Sequence, residues 1–337
     1  MTYQADQFGL YLSLAVHGGV AVDFLDEDAL QNSTVMAQYS LLFVTEPNVP
    51  ADAILGMLSW AKAGGRLVLS GGAATLNEYN QTDATISSAT GNSLTPFPRT
   101  VLHEVRQVPG PSPLPFGAYG LVGTTTFKAY GGVAEFVKQP GGSSKILATF
   151  ADHTAAATET RVGGATGGAI VQMAWQPGLS YLINATQEYY VPDPVTQFPA
   201  VIRNFLRGLL GADYVAPVVA SVPVASSSRA TSELAVGIET VLLASDVGAV
   251  VSVINWGGAI ALDGPVTLRV DLDTAGCFPD GIESLGSVFE ASTGSMLTPT
   301  SVPCDGGGKN CVHVELLGAH ANFLVLRTKS PGAGVQE

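Results

Sequence analysis

Cysteine is scarce in this sequence, and none of its three cysteines lies in the first 276 positions. Cys277, Cys304 and Cys311 are too few for a disulfide framework. A bond between Cys304 and Cys311 that leaves Cys277 free, and three reduced thiols, remain alternatives. No Cys-x-x-Cys or His-Glu-x-x-His pattern is present, so the sequence predicts no metal site and no cofactor.

Basic residues and long apolar runs are also lacking. Lys and Arg total 15 against 28 acidic residues, for a net charge of −13, which argues against nucleic acid and anionic membranes as partners. No apolar run is long enough to span a bilayer, and the first residues lack the pattern of a signal peptide. With 46% hydrophobic and 13% charged residues, we expect a soluble globular protein. The composition does not assign the protein to a cellular compartment.

Helix and strand patterns alternate over the first eighty residues. Segment 5–17 predicts a helix with Phe8, Leu12 and Ala15 on one face. The sequence then predicts a strand at 20–25, a buried strand at 39–47, a helix after Pro50 and a buried strand at 67–69. Strand–helix–strand repeats with short loops indicate a doubly wound parallel sheet. Such folds usually open on a strand, so we expect either a missing first strand or a piece of a longer polypeptide.

Two domains are predicted from the change in pattern along the chain. An α/β, flavodoxin-like domain over 1–215 includes further strands in "SKILATFAD" and "GGAIVQMAW" and a closing helix in "FPAVIRNFLRGLLG". From 216 to 328 turns fall about every ten residues, which predicts a small antiparallel β-sandwich. Residues 329–337 are predicted to be a disordered tail.

Long segments of both predicted domains resemble a known family. "VAVDFLDEDAL", "YSLLFVTEPNVP" and "LSWAKAGGRLVLSGGAATLNEYN" resemble the glutamine-amidotransferase-like, flavodoxin-type trimerisation domain of beta-galactosidases. "VLLASDVGAVVSVINWGG" and "ANFLVLR" resemble the small C-terminal β-sandwich that follows it in those proteins. No segment resembles their catalytic TIM barrel.

The resemblance implies a non-catalytic role. A class I amidotransferase needs a cysteine nucleophile at the strand-to-helix turn, and the first domain has none. The expected function is therefore an accessory and oligomerisation module of a beta-galactosidase-like glycosidase, associated with carbohydrate. Its expected partners are a second copy of the chain or a glycosidase catalytic domain.

A stand-alone hydrolase is the alternative hypothesis. Ser70 follows the strand predicted at 67–69, but "VLSGG" lacks the first glycine of the G-x-S-x-G elbow. Glu46 and Glu78 follow predicted strands at the same edge, where two carboxylates can serve as acid and base on a glycoside. Under this hypothesis Ser70, Glu78 and Glu46 form a site for a glycoside or an ester.

Ligand-binding candidates lie at the same strand ends and in the aromatic stretch 175–190. Asp26, Glu27 and Asn77 are polar groups at this edge, and Trp175 and Tyr181 are rings on which a sugar face can stack. Each has a structural alternative, because loop acids often cap helices and aromatic rings often fill cores or interfaces.

Overall fold

A computed structural model gives the fold. It describes residues 2–99, 103–107, 126–131, 133–138, 144–151, 153–164, 166–185, 198–211, 214, 216–221, 238–255, 266–275, 278, 280–304, 311–316 and 321–329. The chain forms two compact units. The first comprises residues 1–13, 23–187 and 196–213, and the second comprises residues 14–22, 188–195 and 214–337.

The first unit is an α/β structure. Its elements, in chain order, are α1 (Thr2–Tyr11), α2 (Glu27–Gln31), α3 (Ser33–Met36), β1 (Leu41–Val44), α4 (Ala51–Lys62), β2 (Arg66–Leu69), α5 (Thr85–Thr90), β3 (Asn92–Arg99), β4 (His103–Gln107), β5 (Thr126–Ala129), β6 (Val133–Lys138), β7 (Lys145–Phe150), β8 (Ala155–Arg161), β9 (Ala169–Met173), α6 (Pro177–Ile183) and α7 (Ala200–Gly208). A π-helical turn, Leu12–Val16, follows α1.

Seven strands of this unit form one mixed sheet in the order β1-β2-β9-β8-β7-β4-β5. The pairs β1–β2 and β2–β9 are parallel, and the remaining neighbours are antiparallel. The α/β class is confirmed, with parallel pairing among three strands only. β8 was not predicted: "AAATETR" lies within the segment expected to join two strands. Leu67, Val68 and Leu69 of β2 are all fully buried, as expected for a central strand covered on both faces.

Residues 20–25 do not form the predicted strand. β1 is an edge strand of the seven-stranded sheet, and no strand covers segment 20–25. Val20 is buried, whereas Phe24 is 62% exposed. An apolar segment becomes a strand only where a neighbouring strand pairs with its backbone. None of the described strands pairs with residues 20–25, and the N–H of Val20 donates instead to the carbonyl of Leu14 at 2.9 Å.

The buried face of α1 also differs from the prediction. Phe8 is 58% exposed, whereas Asp6, Leu10 and Ser13 are buried. Gly9 is buried on the same face. These positions have the spacing of one helical face, but two of them are polar and one is glycine. A search for apolar residues therefore selects the wrong face.

The second unit contains a β-sandwich. Its strands are β10 (Val218–Ser221), β11 (Ile238–Ser245), β12 (Gly248–Asn255), β13 (Val266–Asp271), β14 (Leu285–Glu290), β15 (Met296–Leu297), β16 (Thr300–Val302), β17 (Cys311–Leu316) and β18 (Ala321–Thr328), with α8 (Leu272–Ala275) and a 3₁₀ turn (Gly281–Ser284) between them. Sheets β10-β13-β17-β16 and β11-β12-β18-β14-β15 are antiparallel and share one apolar core. The predicted β-sandwich is confirmed.

Cys304 and Cys311 form a disulfide, which decides between the two alternatives for this pair. Cys277 and the tail from residue 330 lie outside the described residues. Among the helices that the structure does describe, none has the length and apolar character needed to cross a membrane.

Candidate functional site

The turn after β2 is closed to solvent. Ser70 is only 2% exposed. Its backbone N–H donates to the carbonyl of Val44 at 3.0 Å, and the next N–H, of Gly71, donates to the carbonyl of Trp175 at 2.9 Å. Gly72 and Ala74 have φ values of +84° and +51°, so the chain turns sharply. The carboxyl ends of β1, β2 and β9 thus meet at one edge, which we call the carboxyl edge, as predicted for parallel strands.

Asp6 closes this edge from α1. Its Oδ1 accepts hydrogen bonds from the backbone N–H groups of Gly178 at 2.7 Å and Leu179 at 3.0 Å. These are free donors in the first turn of α6, whose own N-cap residue, Gln176, makes no capping bond with its side chain. A residue 172 positions away therefore supplies the helix cap.

Asp6 also approaches Ser70. Burial raises the pKa of Asp6 to about 6, although the N–H of Leu179, the hydroxyl of Ser70 and the N–H of Gly178 all act to lower it. Asp6 Oδ2 and Ser70 Oγ each have no partner of hydrogen-bond geometry. We therefore describe the Asp6–Ser70 pair as a close approach rather than a formed hydrogen bond. A buried carboxyl without full hydrogen bonding favours its neutral form.

Two glycines let α1 and α6 meet backbone to backbone. A Cβ atom at Gly9 would collide with the carbonyl of Gly178, and a Cβ atom at Gly178 would collide with the carbonyl of Asp6. The close crossing places Asp6 against the start of α6. The same crossing leaves no open path to Ser70 along this side.

Glu78 and Asn77 organise the loop beyond the turn. Glu78 Oε2 accepts a hydrogen bond at 3.0 Å from the N–H of Ala51, the first residue of α4. Asn77 Oδ1 accepts from the N–H groups of Tyr79 at 3.0 Å and Gln81 at 2.9 Å. Glu46 is exposed, and its carbonyl accepts from Ala74 at 2.9 Å. The backbone thus brings Glu46 to the Ser70 turn, while the Glu78 carboxylate is occupied as a helix cap.

Asp26 and Glu27 occupy structural positions at the start of α2. Asp26 is its N-cap and accepts from the N–H of Ala29 at 2.9 Å. Glu27 lies in the first turn, where a negative charge favours the helix dipole. Both side chains are exposed.

Trp175 and Tyr181 have no exposed surface. Trp175 is 0% exposed and packs against Phe127 and Phe205, with ring centroids 5.7 and 5.8 Å away. Tyr181 is also 0% exposed, stacks on Phe198 at 5.0 Å, and has its pKa raised to about 12 by burial. In this structure neither ring offers a face on which a sugar can stack.

Sequence analysis missed Asp6, the side chain that most directly determines the environment of Ser70. A lone acid in "TYQADQFGLY" gives no motif. The available signal was the spacing of Asp6, Gly9 and Ser13, which share one face of α1 if the small and polar residues, rather than Phe8, face inward.

One group of metal-ligating side chains occurs in the described part of the chain: Asp271, Cys304 and Cys311. Both sulfurs belong to the disulfide, and a metal ligand must be a free thiolate. While the two cysteines are joined in the disulfide, this group of residues therefore does not fit a metal ion.

Comparison with solved structures shows which known proteins have a similar fold. No family model matches the sequence, and no curated protein matches it. A catalytic mutant of a GH42 beta-galactosidase from G. stearothermophilus matches 97% of this chain and 36% of its own, with 10% identity and a TM-score of 0.58. The chain resembles one part of a GH42 beta-galactosidase.

Two further beta-galactosidases show the same partial overlap. The enzyme from Bacillus circulans sp. alkalophilus matches 97% of this chain and 38% of its own, with 11% identity and a TM-score of 0.58. The cold-adapted enzyme from Rahnella sp. R3 matches 98% of this chain and 37% of its own, with 14% identity and a TM-score of 0.53. The chain thus spans little more than a third of the length of these proteins. At such identities the likeness is one of fold.

Proposed function

We propose that this chain is a non-catalytic accessory and assembly module of a beta-galactosidase-like glycosidase. The observation that carries the proposal is the overlap: 97% of the chain matches a beta-galactosidase, but only 36% of that protein is matched. Fold alone does not fix function, so the side chains must support the same conclusion.

The carboxyl edge supports the non-catalytic part. Ser70 is only 2% exposed, and Glu78 accepts a hydrogen bond from the first N–H of α4. A nucleophile must reach the reacting atom at hydrogen-bond distance. Burial of Ser70 and the helix-capping bond of Glu78 are both structural roles, and they favour a non-catalytic function.

The sandwich supports the assembly part. Leu243, Val250, Val325, Phe289 and Met296 are successive cross-strand partners across all five strands of one sheet. Leu243 is 62% exposed and Met296 is 68% exposed. Val250, Val325 and Phe289 between them are half-buried, and the guanidinium of Arg327 lies 5.1 Å from the centre of the Phe289 ring. Exposed apolar surface of this kind can mark an interaction site, and the two exposed residues lie at opposite ends of the row.

Light scattering after size exclusion tests the assembly proposal. We expect the purified chain to elute as an oligomer, and Leu243→Lys to shift it towards the monomer. Ser301→Lys, at an exposed position of the other sheet, is the matched control and is expected to leave the mass unchanged. A monomer at every concentration would contradict self-assembly through this row.

A hydrolase is the second candidate, and the approach of Asp6 to Ser70 is the observation that favours it. A carboxyl group beside a serine hydroxyl is a base beside a nucleophile. Turnover of chromogenic glycosides and short-chain esters, compared between the natural chain and Ser70→Ala, decides between the two. Turnover that Ser70→Ala abolishes would support the hydrolase hypothesis. No detectable turnover by either protein, when both are folded, would support the non-catalytic module.

A further inference from the structure

The opposite edge of the parallel strands is open. Between α2, α3 and α4 lies a groove with a volume of about 560 Å³, which we call the amino-edge groove. Tyr39 and Ser40, just before β1, and Gly64 and Gly65, just before β2, line it together with the last turns of α4. Its volume falls within the range of small-molecule pockets.

The lining of the groove is uncharged. None of its thirteen described lining residues is Asp, Glu, Lys, Arg or His, although the chain as a whole carries a net charge of −13. An anionic ligand would find no compensating positive charge among these residues. An uncharged ligand is therefore favoured.

Trp60 contributes the larger of the two aromatic rings in the lining, the other being Tyr39. Its indole packs so closely over Gly65 that a Cβ atom at Gly65 would collide with three ring carbons. The ring remains half-buried, so part of it stays available to the groove. Gly65 thus fixes the position of the indole, and an immobilised ring loses little conformational entropy when a ligand stacks on it.

Neutral hydrogen-bonding groups surround this ring. Ser33, Ser40 and Ser59 are exposed groove residues, and each hydroxyl both donates and accepts. Tyr39 donates its hydroxyl hydrogen to Asp23 at 3.1 Å, which leaves its oxygen as an acceptor. The combination of one fixed aromatic ring and several neutral hydroxyls matches a ligand with an apolar face and many hydroxyl groups.

From this chemistry we infer that the amino-edge groove binds an uncharged pyranose sugar, with its C–H face against Trp60 and its hydroxyls towards Ser40 and Ser59. The inference rests on the lining and does not require the assembly role. The choice of galactose as the first probe does rest on the proposed function.

Titration of the isotopically labelled chain with methyl β-galactoside, followed by the indole N–H resonance of Trp60, tests the site. Ser59→Ala is expected to weaken binding about fivefold, the change that loss of one neutral hydrogen bond produces. Ser88→Ala, an exposed serine on α5, is the matched control and is expected to bind like the natural chain. Trp60→Ala has no indole, so its titration is followed by the backbone amide resonances of Ser59 and Gly65, and we expect it to show no binding. If Trp60→Ala fails to fold, Ser40→Ala and Ser59→Ala carry the test.

Several outcomes overturn the inference. They are no shift at Trp60 with any neutral hexose, equal binding by Ser59→Ala and the natural chain, and equal binding of galacturonic acid. A self-associating chain whose dimer is lost in Trp60→Ala would also overturn it, because the groove would then be a protein interface. Binding of glucose or mannose without galactose would support the site and count against the association with a beta-galactosidase.

Discussion

The two edges of the parallel strands contain similar residues but are covered differently. At the carboxyl edge, Ser70 and two glycines lie beside Trp175, and both Ser70 and Trp175 are buried. At the amino edge, Ser59 and the pair Gly64–Gly65 lie beside Trp60, which remains half-exposed above the groove. The comparison shows that a turn of small residues does not make a site by itself. What packs over the turn decides whether a ligand can reach it.

The α1–α6 crossing is the strongest part of the carboxyl-edge closure, so opening it should have the largest effect. Gly178→Ala places a Cβ atom against the carbonyl of Asp6, and we expect a loss of about 3 kcal/mol or more in the free energy of unfolding. Urea denaturation measures it. Gln7→Ala, on the exposed face of α1, is the matched control. A Gly178→Ala protein as stable as the control would show that the helices do not meet as described.

The buried carboxyl makes the carboxyl edge sensitive to pH. The pKa of Asp6 is 3.8 in its ordinary state and about 6 when folded. Between these values the folded chain holds a proton that the unfolded chain has released, so stability falls as pH rises. Below 3.8 the contribution is fully present, and above about 6 it is lost, for a total of roughly 2–3 kcal/mol.

Asp6→Asn isolates this effect, because the amide oxygen can still accept from Gly178 and Leu179 while the side chain stays neutral. We expect the natural chain to lose stability relative to Asp6→Asn between pH 4 and pH 6, in urea denaturation curves measured across that range. Asp6→Ala, which removes the cap, is expected to be less stable than Asp6→Asn at every pH. Parallel pH profiles for the natural chain and Asp6→Asn would contradict the buried, protonated carboxyl.

Glu78 is expected to have the smallest effect. Glu78→Ala removes the hydrogen bond to Ala51 and should cost about 1 kcal/mol, as loss of a helix cap does. Glu78→Gln keeps an acceptor oxygen and should recover most of that loss in thermal denaturation. If Glu78→Gln were as destabilised as Glu78→Ala, the carboxylate charge rather than the cap would be responsible.

Much of the fold could be predicted because local signals agreed with tertiary structure. The helix predicted after Pro50 and the strand predicted at 67–69 are both present, since amphipathic spacing, a glycine stop and a continuous apolar run all favour the same elements. Segment 20–25 has the same apolar character but no strand beside it. Pairing depends on distant residues, and a single sequence does not reveal them.

The candidate site could be predicted only in part. Ser70 and Glu46 follow β2 and β1, two neighbouring parallel strands. The burial of Ser70 was not predictable, because the side chain that approaches it, Asp6, comes from α1, whose inward face carries Asp6 and Gly9 instead of apolar side chains. The catalytic and ligand-binding roles of these residues remain predictions.

Thiol labelling tests the contrast between the two edges most directly. In a Cys277→Ser background, with Cys304 and Cys311 joined in their disulfide, Ser59→Cys and Ser70→Cys each place a single free thiol at one edge. We predict that the thiol at 70 reacts about a hundredfold more slowly than the thiol at 59 in the folded chain, and at the same rate in urea. Equal rates in the folded chain would show that the carboxyl edge is open, and would restore Ser70 as a candidate nucleophile.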